Sequence, residues 1–128
     1  LQRRLGGATR ARGITVPCLR LAASLRFYTD TLGLRLVGQA GGHAIVDAGP
    51  VRLVLLDADL VPGFTRQPGQ GVYLELAIAD LDRLAERLSD AGVAVPVPRV
   101  SRAGRVVSVA DPEGNLVSLI QEAPGHRA

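Results

Sequence analysis

The chain has 128 residues, 47% of them apolar, which is enough for one domain with a real core and too little for two. No run of about 18 apolar residues occurs and no apolar stretch follows the basic N-terminus, so neither a membrane span nor a secretory signal is expected. The net charge is +3 and all 15 basic residues are Arg; outside the cluster Arg3, Arg4, Arg10 and Arg12 they are scattered among acids, and with no Trp, two Phe and two Tyr there is neither a basic stripe nor a stacking platform for nucleic acid.

Residues 1–13 lack periodicity and read as a flexible tail. Ile14 to Leu21 reads as a strand, with Pro17 pointing to an edge position or a bulge. Ala22 to Leu32 reads as a helix, because Leu21, Leu25, Tyr28 and Leu32 recur at helical spacing. Ser24 is its candidate cap and Gly33 its stop. Three strand-like runs follow, Leu34–Gly38, His43–Asp47 and Val51–Leu56, separated by Gly- and Pro-containing turns. Gly41 and Gly42 form a hairpin turn and not a phosphate loop, because no helix follows them. The first half therefore spans 14–57. Residues 58–70, with two Pro and two Gly among polar residues, read as a linker or lid.

The same order then returns over 71–122. Gly71 to Ala79 reads as a strand. Asp80 caps a helix whose Leu81, Leu84, Ala85, Leu88 and Ala91 share one face, and Gly92 ends it. Val93–Val97, Gly104–Ala110 and Asn115–Gln121 read as three strands, with a turn at Asp111–Gly114. Residues 123–128 are a polar tail. The chain is thus expected to be an α+β domain of two βαβββ modules, each a curved mixed sheet with a helix on one face, around a ligand cleft.

The segment Ala23–Leu34, with its Ser24, Phe27-Tyr28 and Leu32-Gly33, resembles the first helix of the vicinal oxygen chelate superfamily, which holds glyoxalase I, bleomycin-resistance proteins and extradiol dioxygenases. Glu75–Leu84 resembles the entry to that family's second helix, and Asp111–Val117 its turn into the last strand. Between the first strand and Ser24 this sequence is about three residues shorter than the family pattern.

In catalytic members of that family, His, Glu or Gln side chains hold a divalent metal. The resemblance carries those positions onto Val16, onto Leu53 or Val54, onto Tyr73 and onto Ser118. Val and Leu cannot ligate, and neutral Tyr and Ser are poor ligands. The expectation is therefore no metal and no cofactor. His43, Glu75 and Asp47 make a trio on paper, but nothing in their spacing brings them together, and His43 reads rather as a partly exposed strand-end residue.

The candidate ligand-binding residues are Tyr73, Glu75, Ser118, His43, Arg105 and Phe64. Period-two alternation puts Glu75 and Ala77 on the face of Tyr73, and Leu116 and Ile120 on that of Ser118. Glu75 is a costly carboxylate inside an apolar strand unless paired or wet, so it meets a ligand, acts as a base, pairs with Arg105 or Arg52, or simply faces solvent. Phe64 is a candidate lid aromatic. Cys18, the single cysteine, reads as a buried structural thiol in a protein of the reducing cytoplasm. The primary functional expectation is a metal-independent small-molecule-binding protein of the bleomycin-resistance type, homodimeric, taking a small organic ligand and neither nucleic acid nor membrane. A lyase or isomerase using Glu75 as base is the alternative, and a regulatory module with a vestigial cleft is the third.

Overall fold

A computed structural model describes residues 10–61 and 72–123, and within them the βαβββ order occurs twice. The first module consists of β1 (Ile14–Cys18), α1 (Leu21–Arg26), β2 (Arg35–Ala40), β3 (His43–Ala48) and β4 (Val51–Asp57). The second consists of β5 (Tyr73–Ala77), α2 (Leu81–Asp90), β6 (Arg99–Ser101), β7 (Gly104–Ala110) and β8 (Leu116–Glu122). Each module folds its strands into one mixed sheet, ordered β1-β4-β3-β2 in the first and β5-β8-β7-β6 in the second. The first strand of each module runs parallel to its last, β1 against β4 and β5 against β8, and the remaining pairs are antiparallel.

Alternation decides what each sheet face does. Val16 and Cys18 of β1, Ala44 and Val46 of β3 and Leu53 and Leu55 of β4 point to the helix side and are buried. Leu74, Val107, Val109, Val117 and Leu119 do the same in the second sheet. These residues, with Phe27, Tyr28 and Leu32 after β1 and Leu81, Leu84 and Leu88 of α2, form one hydrophobic cluster shared by both modules. The modules therefore meet through their helix-bearing sides, and each sheet keeps an opposite, open face. No hydrogen bond or ion pair joins the two open faces among the described residues. A groove of about 960 Å³ runs between the modules, lined by Leu34, Val51, Glu75, Ala77, Arg83 and Arg87.

The helices follow local rules, with two departures. Asp80 caps α2 by accepting a hydrogen bond from the Arg83 amide at 3.1 Å, and Gly92 closes the helix at φ +84°. Ser24 does not cap α1. It is fully buried, the cap position is Arg20 and no side chain of the helix caps it. Instead the carboxylate of Glu113, in the β7–β8 turn, accepts from the amides of Leu19 (3.1 Å) and Arg20 (2.6 Å) and from Ser24 Oγ (3.3 Å). The second departure is that α1 widens into a π-helical turn over Phe27–Thr31 before Gly33 stops it at φ +81°.

One expected strand is absent. Val93–Val97 forms no strand, and the second strand of module two is the short β6 farther on. Pro96 removes an amide donor from that stretch and Pro98 another just after it, which suits it poorly to a ladder. Its Val93 and Val95 still pack on the core, while Val97 stands in solvent. No helix among the described residues is long and apolar enough to cross a membrane.

Candidate functional site

The open face of the second sheet carries the polar residues. The register aligns Glu75 of β5, Ser118 of β8 and Ser108 of β7 in one row across the sheet. Ser118 Oγ lies 2.9 Å from Ser108 Oγ and 3.0 Å from the Tyr73 hydroxyl, and that hydroxyl donates to Glu75 Oε2 at 3.5 Å. Four side chains thus form a continuous chain of hydroxyls ending in a carboxylate. Tyr73 is 57% exposed and lies over Ser118, which is only 2% exposed. Leu116, on the same face beside Tyr73, is also exposed. The surface offers an aromatic ring, apolar side chains and convergent hydrogen-bonding groups, the usual composition of a small-molecule site.

The open face of the first sheet is different. Arg52 and Val54 of β4, Ile45 of β3 and Thr15 of β1 line a hollow of about 640 Å³ with residues 10–13 along its rim. Val54 pairs in register with both Thr15 and Ile45, so these three make its floor. His43 is on this same face, half-buried, opposite Leu56.

The candidate residues therefore separate. Tyr73, Glu75 and Ser118 come together on the second sheet, and Glu75 also reaches the groove between the modules. His43 lies on the other sheet and touches none of them. Arg105 is not on an open face at all: it reaches Asp82 on α2 at 2.9 and 3.3 Å and holds that carboxyl below its usual range. Glu75 pairs with neither Arg105 nor Arg52. Phe64 lies outside the described residues.

The positions carried over for metal ligation need one correction. Val16 and Leu53 point into the core, at 0% and 1% exposure, and the β1 side chain that faces outwards beside Val54 is Thr15. A ligand set drawn from the open faces would then be Thr15, Val54, Tyr73 and Ser118. One carboxylate, Glu75, stands near them. This donor set does not fit a transition-metal dication such as zinc, which is held by three or four His, Cys or carboxylate side chains converging on one point. Among the described residues no three His, Cys, Asp or Glu side chains cluster to hold one.

Cys18 and Tyr28 lie on the helix side of the first sheet. Burial pushes the Cys18 thiol up to about 11, which leaves it protonated and unreactive near neutral pH. Burial, reinforced by the neighbouring Asp111 carboxylate, raises the Tyr28 phenol well above its ordinary range. Sequence reasoning saw Asp111 only as a turn residue. Its carboxylate in fact accepts from Tyr28, from the amides of Glu113 and Asn115 and from the Asn115 side chain.

The model of the Glyoxalase/Bleomycin resistance protein/Dioxygenase superfamily matches residues 13–119. The chain belongs to this superfamily. Among solved structures, it is similar to TnmS3, an antibiotic-binding protein from Streptomyces sp. CB03234, with 28% identity over 90% of this chain and 97% of that one and a TM-score of 0.71. A glyoxalase/bleomycin resistance protein from the same organism is 30% identical over 84% of this chain and 96% of its own, with a TM-score of 0.69. The bleomycin resistance determinant encoded on transposon Tn5 shares the fold at 22% identity, covering 89% and 98%, with a TM-score of 0.64. None of the curated proteins compared with the chain matches it. The superfamily motifs named above fall within the matched residues.

Proposed function

We propose that the chain is a metal-independent small-molecule-binding protein of the bleomycin-resistance type, which sequesters an organic ligand against the open sheet faces. The observation that carries this reading is the hydroxyl chain Tyr73–Ser118–Ser108 with Glu75 at its end. Two of its members, Tyr73 and Ser118, stand at positions onto which the resemblance carries the family's cation ligands, and they offer hydrogen bonds and an aromatic face instead. The similarity to an antibiotic-binding protein over nearly the whole chain supports the same reading.

We further propose that the working unit is a homodimer. The open faces of one chain do not meet each other, and exposed Tyr73 and Leu116 on one of them make an apolar surface of the kind that marks an interaction site. Setting the first sheet of one copy against the second sheet of another would enclose a ligand from both sides through a two-fold contact.

The test is a thermal-shift screen of an antibiotic panel with and without chelator, alongside metal analysis of the purified protein and light scattering for mass. A ligand present at about 100 times its Kd adds about 2.7 kcal/mol of stability, a readily measured shift. Stabilisation that persists in chelator supports the reading. A stoichiometric divalent ion whose removal abolishes binding overturns it.

A further inference from the structure

The hollow on the open face of the first sheet is lined by three guanidinium-bearing residues and no acid. Its residues are Arg10, Ala11, Arg12, Gly13, Thr15, Ile45, Arg52 and Val54. In the register, the carboxylate nearest to Arg52 is Asp47 on β3, directly opposite it. Asp47 is already engaged from the other side, accepting from Arg35 Nη2 at 2.8 Å. Arg10, Arg12 and Arg52 have no ion-pair partner among the described residues. Elsewhere in the described chain, Arg35, Arg105 and Arg87 are bonded to Asp47, to Asp82 and to the carbonyl of Asp30 respectively.

The rim is held there by backbone fit. Gly13 lies so close to β4 that a Cβ on it would stand 3.1 Å from the Arg52 carbonyl oxygen and 3.6 Å from Val54 Cγ2. The absent side chain lets residues 10–13 lie against the strand that carries Arg52, which brings Arg10 and Arg12 to the same hollow. Beneath the charges the floor is Thr15, Ile45 and Val54. A cationic rim over an apolar floor suits a molecule with an apolar body and an anionic group, because guanidinium forks bind carboxylate, sulfonate and phosphate oxygens in pairs.

We propose that this face binds the anionic group of an amphiphilic small molecule, with Arg52 as the principal contact and Arg10 and Arg12 completing the charge. This inference rests on the ligand-binding reading above and narrows it to acidic ligands.

The experiment uses the full chain and two fluorescent probes, the anionic arylsulfonate 8-anilinonaphthalene-1-sulfonate and the neutral dye Nile red. Titrations are run on the wild type, on Arg52→Gln, on Gly13→Val and on Arg99→Gln, which removes the same charge at the distant strand β6. Circular dichroism checks that each variant is folded. The expected result is sulfonate binding that weakens about tenfold in Arg52→Gln, weakens in Gly13→Val and with added inorganic sulfate, and is unchanged in Arg99→Gln. Nile red binding is expected to be the same in all four proteins. Equal sulfonate affinity in Arg52→Gln and Arg99→Gln overturns the inference while leaving the ligand-binding reading intact, provided Nile red binds. Failure of both probes to bind the wild type overturns the two together.

Discussion

The Tyr28 hydroxyl donates a 2.6 Å hydrogen bond to Asp111 Oδ2, joining residues 83 positions apart and tying the helical segment of module one to the last turn of module two. Both residues are buried, and Asp111 distributes its two oxygens over four donors. Removing the Tyr28 hydroxyl leaves a buried carboxylate short of a partner. Tyr28→Phe is expected to cost about 1–3 kcal/mol in urea unfolding, more than an exposed Tyr73→Phe.

Alkaline pH should weaken the fold through two groups. The folded-state values of Cys18 and Tyr28 both lie above their unfolded ones, because burial disfavours the charged forms. Their contributions are fully present below the unfolded values and are lost as pH rises through the folded ones. For Cys18 that window runs from 9.0 to about 11. Midpoints of urea unfolding should therefore fall as pH climbs across it, and Cys18→Ala should flatten that fall.

Glu113 does for α1 what Asp80 does for α2, but from another module. Glu113→Ala should cost about 1–2 kcal/mol and speed hydrogen exchange at the Leu19 and Arg20 amides. Asp80→Ala should cost about 1 kcal/mol and loosen the first turn of α2 alone. Exchange that stays slow at Leu19 and Arg20 in Glu113→Ala would contradict the assigned role.

Gly104 opens β7 at φ +137°, and a Cβ there would collide with the Gln121 carbonyl on the neighbouring strand. Gly104→Ala should destabilise by about 1–3 kcal/mol and disturb the β7–β8 pairing, read as exchange at the Ala123 amide, which bonds Ala103 next to it.

For binding, Tyr73→Phe and Ser118→Ala are expected to act differently. Tyr73 is exposed, so Phe leaves stability within about 0.5 kcal/mol while weakening a ligand found in the antibiotic screen. Ser118 is buried between two hydroxyls, so Ala should lower both stability and affinity. Calorimetry beside urea titration separates the two effects.

Much of the architecture was legible because it rests on local rules. The repeat showed in two helix–Gly–strand junctions, at Gly33 and Gly92, and the Asp80 cap and the apolar stripe Leu81, Leu84, Leu88 follow from spacing alone. Alternation likewise placed Tyr73 with Glu75 on one face. What escaped depends on partners distant in sequence. Nothing near Ser24 reveals that Glu113 would take over the cap, and nothing near Arg105 reveals Asp82. The strand expected at Val93–Val97 failed because valines suggested pairing while the prolines removed donors. Of the residues singled out for binding, Tyr73, Glu75 and Ser118 share one face of the second sheet, whereas Arg105 is on the opposite face of that sheet and His43 on the first sheet.

Packing the apolar stripe of each helix against a core shared by both modules separates two kinds of selection on this chain. The residues that hold it folded, such as Tyr28, Leu88 and Leu119, point inwards, while Tyr73, Arg52 and Ile45 hang on the outer surfaces. Most outer positions can be exchanged with little penalty to folding, so a lineage carrying this scaffold can retune what it captures without first rebuilding its interior.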